Sequence, residues 1–325
     1  MNYSNQFNLP RPIVDAIVND PYDKGDADIS ITSLNDTPRK RILLREFSDL
    51  ITVDVSQSLR SLRGQLVHAI LEKKSKEYSN LAEKRFYIER DGIKIGGKPD
   101  YPLLEEGGIL VDWKVVSIYT YLRNRDSIAK GKRDEWEKQL NLYRLLLHEN
   151  GHKISRLRVW AWTDIRPGEM KKNEGWPQCE VVPLDLPLWT LTETEAYLQA
   201  RLEVHKKADE AFKQMGIEAF SQDILCSEED RWYSGTNYAV MQKGRKAALP
   251  GGLMREEDYQ NPQEAAERYI QKANKPDLFI EKRPGTYRRC DWREARQYCA
   301  AYSICEQANP QAGSLSDLVL AKEEK

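Results

Sequence analysis

The chain lacks any apolar run long enough to span a bilayer, which leaves no candidate for a transmembrane helix in its 325 residues. It also lacks net charge: Lys and Arg total 50, Asp and Glu 51. A uniformly basic nucleic-acid coat is thereby excluded, although a local basic groove can sit inside a neutral total. There are five cysteines and no C-x-x-C pair, so the paired knuckles of a zinc ribbon are missing. Internal repeats and low-complexity tracts are absent. The N-terminus, MNYSNQFNLPRPIV, has no charged-then-apolar leader pattern, so a cytoplasmic protein is expected. Thiols stay reduced in that compartment, and the cysteines are expected to be ligands or core residues rather than disulfides.

What is present is a globular composition, 40% hydrophobic and 31% charged. The length suits one large domain with an accessory one. The expected organisation is an arm over 1–55, a core over 56–189 and a cysteine-bearing, mostly helical region over 190–325. The arm, interrupted by Pro10, Pro12, Pro21 and Pro38, reads as irregular with one or two short helices. Its basic cluster Arg39, Lys40, Arg41 and Arg45 suits a solvated helix face or a phosphate contact.

Residues 56–78 read as a helix, with Leu59, Leu62, Leu66 and Ile70 forming one apolar stripe. His68 lies about 180° round from that stripe, with Gly64 one turn before it. A surface histidine or a ligand fits that position better than a core histidine. Lys84–Glu89 and Ile93–Lys98 flank Asp91-Gly92 and read as a hairpin. Ile109–Val116 (ILVDWKVV) reads as a central strand. Asp112 and Lys114 are two apart, so their side chains leave the same face. An unpaired acid and lysine would be costly in such a strand, which favours a site over a solubilising face.

Residues 117–133 read as a loop or partly ordered lid. Tyr119 and Tyr121 precede Arg123, Arg125, Lys130, Lys132 and Arg133. Aromatic and basic side chains together suit a single strand of nucleic acid, through base stacking and phosphate contacts, or simply a solvated loop. The helix expected over 134–149 places Trp136, Leu140, Tyr143 and Leu147 on one face. Gln139 falls inside that stripe, where it needs a polar partner. Strands are expected at Arg156–Thr163 and near Glu180–Leu184. Long and short helices are expected over 190–215 and 262–275.

Four pieces thus stand in order: Gly64-x-x-x-His68, Gly97-Lys98-Pro99-Asp100, Asp112-Trp113-Lys114 and Gln139-x-x-x-Tyr143. Together they resemble the RecB-like branch of the PD-(D/E)XK nuclease superfamily, over roughly residues 60–165. The resemblance implies an α/β fold: a restriction-endonuclease-like core with a mixed central sheet flanked by helices. It implies a divalent metal, Mg²⁺ or Mn²⁺, on His68, Asp100, Asp112 and the backbone carbonyl of Trp113. By the same resemblance, Lys114 orients the attacking water, and Gln139 and Tyr143 position catalytic elements or DNA backbone. Glu83 and Glu89, on or beside the first strand, are further possible ligands. Carboxylates suit Mg²⁺ or Mn²⁺, and an imidazole shifts preference toward Mn²⁺.

Cys226, Cys290, Cys299 and Cys305 resemble the C-terminal iron–sulfur staple of some RecB-like nucleases. Their wide spacing suits a 4Fe–4S cluster, with zinc as the alternative. In those relatives the first cysteine usually precedes the nuclease core, whereas Cys226 follows it. The segments TSLNDTPRKRILLREF, YAVMQKGRKAA and RPGTYRRC also look like phage exonucleases of this superfamily. The expectation is a metal-dependent DNA nuclease acting on single- or double-stranded ends in recombination, repair or phage DNA processing, with a helicase or recombinase as a partner and no membrane. The alternative is a non-hydrolytic DNA-binding or assembly factor on a nuclease fold.

Overall fold

Asp91 and Gly92 both adopt positive φ, 52° and 74°, the pair of left-handed residues that a two-residue primed turn requires. They close the hairpin of β4 (Phe86–Arg90) and β5 (Ile93–Gly97). The computed structural model describes the chain except residues 20–24, 105–106, 174, 257, 274, 291–297, 310–311 and 324–325. Pro21 and the 291–297 part of the cysteine-bearing segment therefore lie outside the described residues. Two compact units are found, Met1–Ile224 and Leu225–Lys325.

The first unit is built on a four-stranded mixed sheet in the order β6-β7-β8-β9. Strand β7 (Ile109–Val115) pairs antiparallel with β6 (Tyr101–Leu103) and parallel with β8 (Arg156–Trp162). Antiparallel β9 (Val181–Leu186) follows β8. The β7-to-β8 crossover carries α5 (Ile118–Ala129) and α6 (Glu135–Glu149). Leu140, Leu146 and Leu147 of α6 are buried in one core with Leu110, Leu157, Val159 and Ala161. The last four share side-chain parity with Asp112 and Lys114 across the β7–β8 register.

Residues 1–55 are integral rather than an irregular arm. Parallel β1 (Asn2–Ser4) and β3 (Thr52–Asp54) form a small ladder, with α1 (Arg11–Val18) between them in sequence. Strand β2 (Ile29–Ser30) joins β5 in parallel. Helices α2 (Ile31–Asn35) and α3 (Pro38–Glu46) bury Ile31, Leu34, Ile42 and Leu43. Arg39 is neither a solvated residue nor a phosphate contact: it is 4% exposed and donates to the carbonyls of Phe220 and Ile224 at 2.6 and 2.9 Å. Arg41 donates to His205 Nδ1 and pairs with Asp209. Both partners lie on α8 (Leu191–Met215), which therefore belongs to this unit. Short helices α7 (Pro167–Lys172) and α9 (Ala219–Gln222) complete it.

Two further expectations change. The 117–133 segment is mostly helix α5, capped by Ser117, whose hydroxyl accepts from the Thr120 N–H. Ile118 and Tyr121 are buried, with Leu122 and Ile128 packed beside them, a helical stripe that the basic residues obscure. The second change concerns α4 (Leu59–Ser75). Its leucine stripe faces solvent: Leu66 and Ile70 are 59% and 67% exposed. The opposite face turns inward, where Val67 and Leu71 line an apolar cleft with Trp113, Val115 and Trp160.

The second unit holds an antiparallel sheet in the order β11-β10-β12, with β10 (Asn237–Gln242), β11 (Leu253–Arg255) and β12 (Leu278–Arg283). Helix α10 (Pro262–Ala273) packs on it through Ala266 against Val240 and Met254. Helix α11 (Leu315–Glu323) follows. The class is α/β, and the C-terminal helices are joined by this small sheet. No described helix is long and apolar enough to cross a membrane.

Candidate metal centre

The chain leaves β5 at Gly97, passes through Lys98-Pro99-Asp100 and enters β6 at Tyr101. Strand β6 pairs with Ile109–Val111 of β7, so among the described residues Asp112–Val115 have no strand partner on that edge. Asp100 occupies the gap, its Oδ2 accepting from the Trp113 N–H at 2.9 Å. In an extended strand the N–H and C=O of one residue leave on the same side. The Trp113 carbonyl therefore faces the same open edge.

His68 reaches this edge from α4, its Nδ1 3.5 Å from Asp100 Oδ2. A Cβ at Gly64, one turn earlier, would meet nothing within 4 Å, so the glycine leaves open space rather than a close backbone contact. Lys114 Nζ lies 2.7 Å from Asp112 Oδ2 and 3.4 Å from Gln139 Oε1. Lys114 is thus the close cationic partner of this buried oxygen, for which no further hydrogen-bond donor is found among the described residues. Tyr143, one turn beyond Gln139, shares hydrogen bonds with Gln139 and Thr32.

His68, Glu83 and Asp100 each offer a ligand atom, and these atoms lie within 4.8 Å of one another. Glu83 comes from the turn before β4; Asp112 instead faces Lys114. Glu89 is exposed on β4 and stands outside the cluster. No motif spacing picks out Glu83, because a glutamate before a strand looks like any turn residue.

The electrostatics are those of crowded acids. Burial, and then neighbouring Asp112, raise the Asp100 pKa well above the carboxylate range, against Lys114 and the Trp113 N–H. Burial works to lower the Lys114 pKa, but Asp112 and Asp100 outweigh it and the net shift is upward. Burial pushes the Tyr143 phenol up to about 12, so it remains a hydrogen-bond donor at neutral pH. Crowded acids and an imidazole whose ligand atoms lie within 4.8 Å of one another fit a hard divalent cation, which would relieve the repulsion.

The residues expected to bind nucleic acid divide. Tyr121 is buried, and its hydroxyl donates to the Pro183 carbonyl at 3.2 Å, so it has no face free for a base. Arg125 pairs with Asp126 and donates to the Gly175 carbonyl. Arg133 lies 4.2 Å over the Trp189 ring and pairs with Glu193. Tyr119, Arg123, Lys130 and Lys132 are exposed.

The four cysteines fall in the second unit, none in a disulfide. The backbone of Cys226 exchanges hydrogen bonds with the Gln307 side chain, two residues past Cys305. The Arg289 N–H, next to Cys290, donates to the Arg231 carbonyl. Tyr298, next to Cys299, packs on Trp232 with ring centroids 5.1 Å apart. The three cysteine-bearing stretches are thus laced together through residues 226–232. Cys179 is exposed in the first unit.

No family model matches the chain, and no curated protein matches it in sequence. Two solved structures are similar in part. A protein designated SSO0001 aligns with a TM-score of 0.40 and 15% identity, over 59% of this chain and 84% of that one. A proposed exonuclease from Eubacterium rectale aligns with a TM-score of 0.30 and 14% identity, over 50% of this chain and 60% of that one. Likeness at this level does not carry a function from one chain to another.

Proposed function

We propose that this chain is a metal-dependent nuclease that hydrolyses DNA phosphodiesters, working from ends as an exonuclease in recombination, repair or phage DNA processing. The observation that carries the reading is the meeting of His68, Glu83 and Asp100 ligand atoms within 4.8 Å, beside the Asp112–Lys114 pair. His68, Asp100, Asp112 and the Trp113 carbonyl would hold Mg²⁺ or Mn²⁺. When bound, the ion supplies Lewis-acid polarisation of a phosphoryl oxygen and makes water a nucleophile at neutral pH.

The remaining chemistry belongs to the chain. Lys114, charged and largely withdrawn from solvent, offers its ammonium to charge developing on the phosphate. Gln139 Oε1, at 3.4 Å, steers that ammonium. Tyr143 holds Gln139 in turn and, as a neutral phenol, adds no negative charge to the site. Exposed Tyr119, Arg123, Lys130 and Lys132 would meet the DNA backbone or a splayed base.

The test is digestion of end-labelled linear DNA with Mg²⁺ or Mn²⁺, beside a circular substrate. Asp112→Ala and Lys114→Ala are expected to abolish degradation while the circular dichroism spectrum is unchanged. Wild-type rates in Asp112→Ala would overturn the assignment. Cys226, Cys290, Cys299 and Cys305 would hold a 4Fe–4S cluster in the second unit. Visible absorbance with stoichiometric iron supports that part, and a colourless protein with stoichiometric zinc overturns it.

A further inference from the structure

Glu83 belongs to none of the four motif segments, yet its backbone is built into the site. Its N–H points at the carbonyls of Pro99 and Asp100, at 3.1 and 3.3 Å. It holds φ at +56°, a left-handed conformation that costs a residue with a Cβ roughly 1–2 kcal/mol. The side chain is only 6% exposed, and its Oε2 lies 2.6 Å from Lys98 Nζ. Lys98 is half exposed, at 42%, so its ammonium can leave for solvent at small cost. A second carboxylate, Asp112, stands beside Asp100 and has its buried Oδ2 paired with Lys114 at 2.7 Å.

We propose that Glu83 is a further ligand of the cation held by His68 and Asp100, and that Lys98 is its resident counter-ion, displaced when the cation binds. This rests on the metal-dependent reading above. Because Glu83 and Asp100 are tied through one backbone contact, the two carboxylates are positioned together before any ion arrives. Lys98 neutralises Glu83 meanwhile, so the empty site does not carry its full repulsion. Each ion bound must release that ammonium, so Lys98 weakens affinity while helping the empty site to fold.

The test uses Mn²⁺ alone, without DNA, with free Mn²⁺ read by electron paramagnetic resonance against the whole 325-residue chain. Glu83→Gln is expected to weaken binding roughly tenfold or more, since even the loss of a hydrogen-bonding partner of a metal ligand costs about 10–100-fold. Glu83→Gly relieves the φ cost and is expected to weaken binding equally while the thermal midpoint holds or rises, which a purely structural role would not produce. Lys98→Gln is expected to tighten binding by a few fold. Wild-type affinity in both Glu83 variants, with loss in Asp112→Asn, would overturn this inference and leave the nuclease site standing. No Mn²⁺ binding by the wild-type protein would overturn both. Unchanged or weaker affinity in Lys98→Gln would overturn the counter-ion half.

Discussion

Asp134 precedes α6, the helix that carries Gln139 and Tyr143, and its cost can be worked out. Its Oδ1 accepts from the Glu137 N–H at 2.7 Å, the bond expected of an N-cap. Its Oδ2 is buried with no hydrogen bond. Burial, and then acidic Glu137 and Glu135, raise its pKa from 3.8 to about 6, against the helix N–H groups. That gap corresponds to about 3 kcal/mol at 1.36 kcal/mol per pH unit. For an acid whose folded pKa is raised, the folded state favours the proton. The cost of ionisation is absent below pH 3.8, grows as pH rises toward 6, and is complete above it. Asp134→Asn keeps the capping oxygen and removes the charge. We expect the variant to be more stable by about 1–3 kcal/mol at pH 7.5, with the gain vanishing near pH 4. Urea unfolding of both proteins at the two pH values, followed by far-ultraviolet circular dichroism, measures this. A stability difference that is the same at both pH values, or an Asn variant weaker at both, would refute the reasoning.

Three further outcomes are expected. A Cβ at Gly97 would sit 2.6 Å from Tyr143 Cε1 and 2.9 Å from Leu146 Cδ2; Gly97→Ala should cost about 1–3 kcal/mol by overpacking and lower DNA degradation through Tyr143, read by denaturation and digestion together. Leu66→Ser and Ile70→Ser should each change stability by less than about 0.5 kcal/mol, as exposed positions do; a loss of 2 kcal/mol or more would mean that the α4 stripe is buried after all. Lys132→Ala should weaken DNA binding at every sequence and reduce the salt slope by about 1, whereas Tyr121→Phe should leave both unchanged in a fluorescence-anisotropy titration.

The long elements were legible in the sequence because one local period decides each. The 109–116 strand, the 134–149 helix and the Asp-Gly hairpin appear where a β-branched apolar run, apolar spacing and turn chemistry put them. The misreadings share one cause, which is that burial is decided by partners distant in sequence. Strand β2 is two residues long and exists because β5 lies beside it. Arg39 looks solvated until the carbonyls of Phe220 and Ile224, some 180 residues away, accept its hydrogen bonds. On α4 the angular relation between His68 and the leucine stripe was right, but in and out were exchanged. Hydrophobic spacing says which residues share a face; it does not say which face the sheet needs.

The site itself follows from a strand that stops early. Had β6 continued along β7, its backbone would have taken the Trp113 N–H and the open edge would be closed. Pro99 lacks an N–H and cannot extend a ladder, and the next residue's side chain, Asp100, takes the Trp113 amide instead. That substitution of a side-chain carboxyl for a strand backbone puts an acid in the plane of the sheet. His68 then approaches from the α4 side, and Lys114, Gln139 and Tyr143 from the side of α6. Pro-Asp at a strand end and Asp-x-Lys on its neighbour are therefore one structural device rather than two motifs. The sequence offers Glu83 and Glu89 alike as further ligands; it is the fastening of Glu83 to the carbonyls of that same interrupted segment that separates the two.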